Sequence, residues 1–286
     1  MTVRRLSSFA LFALVSACGK GAPPPPPAVP VHTAVAVRRD TPLILAATGT
    51  VEPLQTASVA AQVDGIVTRV AFREGQEVAA GQVLFEIDPR QYRAALEQAE
   101  AVLARDAAQL AQAERDYARF ADLGAKDYVT AQQVDQARVQ MEGLRASVRA
   151  DSAALARARL DLGYASVRAP IAGRAGAVLV REGNLVRANS AAPLVVLNQL
   201  APIQVRFALP ATDLPALRAR GDGALPVTAL AVGDSGAPSV GALTFVDNAV
   251  DTNTGTITLK ARFENRDHRL WPGALVRVAL QLDVQK

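Results

Sequence analysis

Between Asp88 and Gly163 apolar residues recur every seven positions along two consecutive stretches, and this double heptad constrains the fold more than any other feature of the chain. On the outgoing stretch Leu96, Leu103, Leu110 and Tyr117 form one series, and Tyr92, Ala99, Asp106, Ala113 and Phe120 form a second. On the returning stretch Val134, Met141, Val148, Leu155 and Leu162 form one series, and Ala137, Leu144, Asp151 and Ala158 the other. If Phe120 faces Val134, then Tyr117 faces Ala137, Ala113 faces Met141, Leu110 faces Leu144, and the pairing runs without a slip to Tyr92 facing Leu162. Two unrelated core helices share such spacing for a turn or two. A shared register over both stretches predicts an antiparallel coiled-coil hairpin with arms of about 50 Å.

The ends of the rod are also written in the sequence. Asp88 and Pro89 read as N-cap and first helical residue, and Gly163 as a C-terminal stop. Thr130 with Gln133 matches a capping box for the second helix, which puts the turn near Gly124 to Val129. Asp106 and Asp151 interrupt the seam. In the register above, Asp106 faces Val148 and Asp151 faces Leu103, with Arg149 and Arg105 close by. A polar seam residue fixes register at a cost in stability, and simple solvation explains it equally well.

Ahead of the rod, Met1 to Ala17 has two arginines, a short apolar run from Leu6 to Val15, and then Ser16 and Ala17. This is the pattern of a secretory signal and is too short for a transmembrane helix. Val15-Ser16-Ala17-Cys18 resembles the bacterial lipobox, in which the cysteine receives lipid. Cys18 is the only cysteine of the chain, so it forms no internal disulfide. An ordinary signal peptide with an incidental cysteine is the alternative that the lipobox pattern disfavours. The five prolines from Pro23 favour extended polyproline II, a semi-rigid spacer or a proline-recognition ligand.

Charge and composition exclude several classes. Lysine and arginine number 31 against 27 acidic residues, and with Arg4 and Arg5 in the leader the remainder is close to neutral. No basic stripe interleaved with aromatics stacks bases, so nucleic acid is not an expected partner. Two distant histidines, His32 and His268, and one cysteine make no metal site, and no nucleophile, base and orienter assemble from spacing. No enzyme activity and no cofactor are expected.

A second pattern brackets the rod. Gln62-Val63-Asp64-Gly65 through Val70, Glu74-Gly75 and Val78 is echoed 108 positions later by Pro170-Ile171-Ala172-Gly173 through Val178, Glu182-Gly183 and Val186. Each copy reads as short β-hairpins with glycine at the turns. The stretch from Thr33 to Val63, broken by Pro42, Gly49 and Pro53, reads as two or three strands. From Ala201 to the end the chain is strand-rich, with a strand from Ala201 to Val205, a short helix within Pro210 to Arg220, and a last strand from Ala274 to Leu282.

Two half-domains around a coiled-coil hairpin resemble the split lipoyl (biotinyl-like) domain of bacterial periplasmic adaptors, the membrane fusion or HlyD-like family. Within it the chain is similar to the adaptors of resistance-nodulation-division (RND) efflux pumps. Thr254-Gly255-Thr256-Ile257 and Leu270-Trp271-Pro272-Gly273 resemble segments of their β-barrel domain. The expected fold is α+β: an antiparallel coiled-coil hairpin inserted into a split lipoyl β-domain, followed by an antiparallel β-barrel. The divisions are a signal peptide 1–17, a proline-rich linker 18–30, N-terminal strands 31–56, lipoyl halves 57–88 and 164–198, a hairpin 89–163 and a barrel 199–286. Lipoyl and biotinyl carriers use a lysine at a hairpin tip of this fold. No lysine stands between Lys20 and Lys126 or between Lys126 and Lys260, so a carrier role fails on chemistry.

The tip resembles the docking motif of RND adaptors, an arginine, a leucine four residues on and a serine eleven residues after the arginine. Arg119 and Leu123 match, Thr130 stands in place of the serine, and Val134 lies near a further apolar position. The resemblance implies that these residues dock against a TolC-like outer-membrane channel. Without it, Thr130 is a helix cap and Arg119 a solvated charge. The resemblance further implies an inner-membrane RND transporter as partner, self-association as trimers or hexamers, and a periplasmic location anchored to the inner membrane through lipid on Cys18. An ATP-driven exporter or type I secretion system is the alternative partner, and small-molecule binding by the barrel a reading of another class. Family members generally continue into a membrane-proximal β-domain, which the resemblance implies is missing after Lys286.

Overall fold

The computed structural model describes residues 41–188, 190–220 and 225–285. Cys18, the leader, the proline run, His32 and the expected strand near Thr33 lie outside the described residues. In chain order the elements are β1 (Thr41–Pro53), β2 (Thr56–Val59), β3 (Gly65–Val70), β4 (Glu77–Val78), β5 (Val83–Ile87), α1 (Arg90–Gly124) and α2 (Ala131–Tyr164). They continue as β6 (Ser166–Arg168), β7 (Gly173–Ala175), β8 (Leu185–Val186), β9 (Val195–Asn198), β10 (Ile203–Pro210), a 3-10 turn (Ala211–Asp213) and α3 (Leu214–Arg218). The last four strands are β11 (Pro226–Ala231), β12 (Ser239–Asp251), β13 (Thr256–Phe263) and β14 (Leu275–Gln285).

The repeat folds into a two-sheet sandwich whose sheets run β2-β9-β7-β4 and β6-β5-β3-β8. Advancing each strand of one sheet to its partner in the other copy of the repeat yields the second sheet, so a pseudo-twofold axis exchanges the two. The contacts obey the same rule. Gly65 pairs with Val186 and Val78 with Gly173. The Val178 N–H donates to Glu74 Oε1 at 2.7 Å, and the Val70 N–H donates to Glu182 Oε1 at 2.9 Å. Each glutamate that the sequence shows as part of a Glu-Gly turn therefore clamps the backbone of the opposite half. Gly75 and Gly183 follow with φ of 74° and 85°, which a side chain disfavours. Glu74→Ala and Glu182→Ala are each expected to lower stability by about 1 kcal/mol, equally within error, in urea denaturation.

The core of the sandwich is drawn from both halves, with Val67, Leu84, Phe85, Val195 and Leu197 wholly buried. The rod grows directly from it. Strand β5 pairs with β6 through Phe85 opposite Val167 and Glu86 opposite Ser166, and the next residues on each side enter the helices. The Tyr92 hydroxyl donates to the Asp64 carbonyl at 2.6 Å, which seats the first turn of α1 on the sandwich.

Along α1 and α2 the heptad residues form the inward face. Ala113, Met141 and Leu155 are buried and the other heptad positions half-buried, as a two-stranded seam open at its sides requires. Glu100 with Arg159 at 3.3 Å and Glu114 with Arg145 at 2.9 Å bridge the arms. These two pairs lie two heptads apart on both helices, so they report one register. Both ends differ from expectation. Helix α1 begins at Arg90 with Pro89 as N-cap, because the Pro89 carbonyl accepts the first helical bond, from Arg93. Asp88 stands one position farther out. Its carboxylate accepts from the Arg90 N–H at 3.1 Å and pairs with the Arg90 guanidinium at 2.5 Å. The guanidinium, then the backbone N–H, hold it at about 2. Gly163 lies inside the last turn of α2, and Ala165 caps it with φ −64°. The helix stops because the Ala165 carbonyl accepts the Ile87 N–H at 2.8 Å and the chain joins β5.

The two seam aspartates, in adjacent layers of the register, also meet each other. Asp106 and Asp151 come within hydrogen-bonding reach of each other across the seam.

Six antiparallel strands close the barrel in the order β1-β10-β13-β12-β11-β14. Its core holds Val51, Ile203, Val205, Leu259, Phe263, Val276 and Leu280 among others. Pro53 ends β1 ahead of β2, as expected, whereas Pro42 and Gly49 do not interrupt β1. The prolines sit at the ends of β1, and a Cβ on Gly49 would lie 2.8 Å from Val205 Cγ1, so glycine permits the close approach of β10. The Leu270-to-Gly273 turn docks on β1, where the Gly273 N–H donates to the Val51 carbonyl and the Val51 N–H to the Ala274 carbonyl.

Three contacts join barrel and sandwich. Buried Asn265 donates from Nδ2 to the carbonyls of Leu200 at 2.8 Å and Leu270 at 2.9 Å, and its Oδ1 accepts the Leu270 N–H at 2.9 Å. The Arg174 guanidinium lies over the Trp271 ring at 5.1 Å. His268, in its turn with φ 54°, has Nδ1 3.6 Å from Glu77 Oε1.

Candidate functional site at the hairpin tip

The tip is built by helix geometry and two capping devices. Helix α1 runs to Gly124, where a Cβ would lie 2.8 Å from Val134 Cγ2. Glycine thus lets the first turn of α2 close against the last turn of α1. The Leu123 carbonyl accepts the N–H groups of Lys126 at 3.2 Å and Tyr128 at 3.0 Å, and Asp127 reverses the chain with φ 59°. Asp tolerates this left-handed conformation better than most residues. The chain then enters α2 through Thr130, whose φ of −77° and ψ of 152° are those of an N-cap.

Thr130 completes the capping box read from the sequence. Its Oγ1 accepts the Gln133 N–H at 3.4 Å, and its own N–H donates to Gln133 Oε1 at 3.0 Å. Its hydroxyl also lies 3.2 Å from that oxygen and donates to it. Arg119 is exposed and pairs with Asp116 one turn earlier on the same helix. Leu123, four residues on and therefore on the same face, is half-buried. Lys126 pairs with Asp122 at 2.7 Å. The structure places Arg119 and Leu123 on the last turns of α1 and Thr130 at the start of α2, all at the end of the rod remote from the sandwich.

Tyr128 also belongs to this end and escaped the motif comparison. It is 75% exposed, an aromatic in a turn with nothing to bury it. Its signal in the sequence was an aromatic between an expected helix end and a capping box. Just below the tip, Asp116, Phe120, Gln133, Gln136 and Gln140 line a shallow groove beside the seam. Among the described residues no three His, Cys, Asp or Glu side chains converge as metal ligands. Among them also, no helix is long and apolar enough to cross a membrane. What the tip offers is a contact surface that carries the cations Arg119 and Lys126, the half-buried Leu123 and the exposed aromatic Tyr128.

A split β-sandwich that carries a coiled-coil hairpin and is followed by a six-stranded barrel defines the membrane fusion class of protein. The chain belongs to the RND membrane fusion protein (MFP) family. Residues 55–198 match the model of the RND MFP barrel-sandwich hybrid domain, and residues 202–284 that of the RND MFP β-barrel domain. The multidrug resistance protein MdtA of Erwinia amylovora is 43% identical over 256 residues, covering 89% of this chain and 63% of that protein. MdtA of Proteus mirabilis is 39% identical, over 89% of this chain and 62% of its own length. The chain thus spans less than two thirds of these relatives. Among solved structures, a MacA-MexA chimera carrying the Pseudomonas aeruginosa MexA α-hairpin superposes with a TM-score of 0.62 at 25% identity, over 87% of this chain and 82% of that one. The membrane fusion protein Spr0693 of Streptococcus pneumoniae R6 shares the fold, with a TM-score of 0.63 at 18% identity, over 85% and 99% of the two chains.

Proposed function

We propose that the chain is the periplasmic adaptor of a tripartite efflux system, linking an inner-membrane RND drug/proton antiporter to a TolC-like outer-membrane channel. The observation that supports the reading is the exposed tip on a register-locked rod, which bears Arg119, Leu123 and Thr130, the residues that resemble the adaptor docking motif. The name multidrug resistance protein, borne by the MdtA relatives, supports drugs as cargo. In this reading lipid on Cys18 anchors the chain to the inner membrane and the proline run spaces it. Sandwich and barrel pack side by side around the pump, and hairpins from neighbouring copies, six around a trimeric channel, form a tube. The role is mechanical and needs no catalytic group or cofactor.

Energetics favour Arg119 as a docking group. Its present partner, Asp116, is an exposed neighbour on the same helix, and such pairs contribute less than about 1 kcal/mol. Exchanging that partner for one on the channel therefore costs little. Arg119→Ala and Leu123→Ala are each expected to weaken association with a TolC-like channel by about tenfold or more, a loss of about 1.4 kcal/mol, in co-purification and titration. Association that survives the double replacement in a folded protein would overturn the docking role.

A further inference from the structure

Midway along the rod the seam carries two carboxyl groups, Asp106 on α1 and Asp151 on α2. The Asp106 side chain is 14% exposed, and Arg105 Nε donates to its Oδ1 at 2.6 Å. Asp151 reaches Asp106 across the seam, yet its Oδ2 is buried and receives no hydrogen bond among the described residues. The neighbouring Ser152 hydroxyl donates to the Val148 carbonyl at 2.7 Å and is therefore committed elsewhere. A buried carboxylate oxygen without a donor, beside a second carboxylate, is unfavourable twice over: hydration is lost and like charges approach. One proton relieves both. It turns the contact into an O–H···O hydrogen bond and leaves a single negative charge for Arg105 to balance.

We propose that Asp106 and Asp151 share one proton and form a proton-dependent latch across the hairpin seam, closed while the proton is held and weakened when it leaves. The proton sits on Asp151. Burial first, then the charge of Asp106 and the hydrogen bond to it, raise the Asp151 carboxyl above the ordinary aspartate range, against a smaller pull from Arg105. Asp106 is held below that range, chiefly by its hydrogen bond to Arg105. Only α1 and α2 pack here, and Arg105 is the cation acting on the pair. The ion pairs Glu100–Arg159 and Glu114–Arg145 lie farther along the rod toward its root and its tip.

The sign of the effect follows from the raised member. The stabilisation carried by protonated Asp151 is complete below its unfolded value near 3.8 and is lost as pH rises through its higher folded value. Asp106, being depressed, stays ionised until pH falls below the ordinary carboxylate range. The latch is therefore closed on the acid side of the raised Asp151 value and weakened as pH rises through it.

Hydrogen exchange on the full chain, corrected for the intrinsic pH dependence of exchange, tests this at residues 103–110 and 148–155. Their protection is expected to fall as pH rises, by about tenfold for each pH unit by which Asp151 is raised. Asp151→Asn, whose amide N–H stands in for the shared proton, is expected to keep protection high and flat with pH. Asp106→Asn is expected to make the profile shallower without abolishing it, because it removes the Asp106 charge and leaves the burial that raises Asp151 most. A carbon-13 carboxyl titration of the unaltered protein reads the proton's seat without any substitution. A midpoint for Asp151 at or below the ordinary aspartate value would overturn the latch, as would a pH profile that Asp151→Asn leaves intact.

Discussion

Asn265→Ala is expected to destabilise the barrel by about 3 to 5 kcal/mol. The side chain makes three hydrogen bonds, two of them donated to the carbonyls of Leu200 and Leu270, and it is 5% exposed. Its removal leaves buried backbone groups unpaired, and each such group costs about 1 kcal/mol or more. Alanine is also less tolerant than asparagine of the φ of 50° at this position. Asn265→Gly relieves the backbone but restores no bond, so an intermediate loss is expected. Asn265→Asp keeps the acceptor for the Leu270 N–H but turns a carboxylate toward two carbonyls, and should be as damaging as alanine. Trp271, the only tryptophan, stands in the turn that Asn265 ties down, so its fluorescence in urea denaturation measures all three variants. Because Leu200 leads out of the sandwich, the same variants should loosen the joint between sandwich and barrel.

The second large effect is expected at Phe85. Its ring is wholly buried and meets Phe72 edge-on, with centroids 5.3 Å apart and planes at 78°. Phe85→Ala removes that contact and opens a cavity in a core shared by both halves of the repeat, at a cost of about 3 to 5 kcal/mol. Phe85→Leu keeps most of the volume and should cost less than about 1.5 kcal/mol. Urea denaturation gives both values. The backbone of Phe85 is paired with that of Val167, so exchange of the Val167 amide should accelerate in the alanine variant.

The sequence made the rod legible because its signal is periodic and redundant: many positions agree on one register, and the errors of single positions cancel. It made the capping box legible because Thr130 and Gln133 are chemically local. Features decided by distant partners were misread. Gly163 looked like a stop, but the stop is imposed by pairing of the following residues with β5. Pro42 and Gly49 looked like breaks, yet Gly49 lies in the middle of a continuous strand that needs its missing Cβ. Glu74 and Glu182 looked like turn residues, since nothing local tells that a carboxylate will reach the backbone of the other repeat. At the tip, Arg119, Leu123 and Thr130 are candidates singled out by a motif, whereas the Arg119 pairing with Asp116 and the exposure of Tyr128 depend on side-chain placement.

The direct passage from β5 into α1 and from α2 into β6 bears on how the sandwich assembles. Joining strands that lie some eighty residues apart in the chain ordinarily carries the entropy of closing a long flexible loop. Here the intervening chain is a hairpin held by contacts between its own arms, and the coiled coil occupies the place of a tight β-turn. Once it zips from the tip, the ends of β5 and β6 arrive side by side and the loop left to close is only a few residues long. The rod is thus the nucleus that turns a non-local sandwich into a local one, lowering its effective contact order. The barrel has no such help: β1 pairs with β14, more than two hundred residues away, and must wait for the last strand to be made.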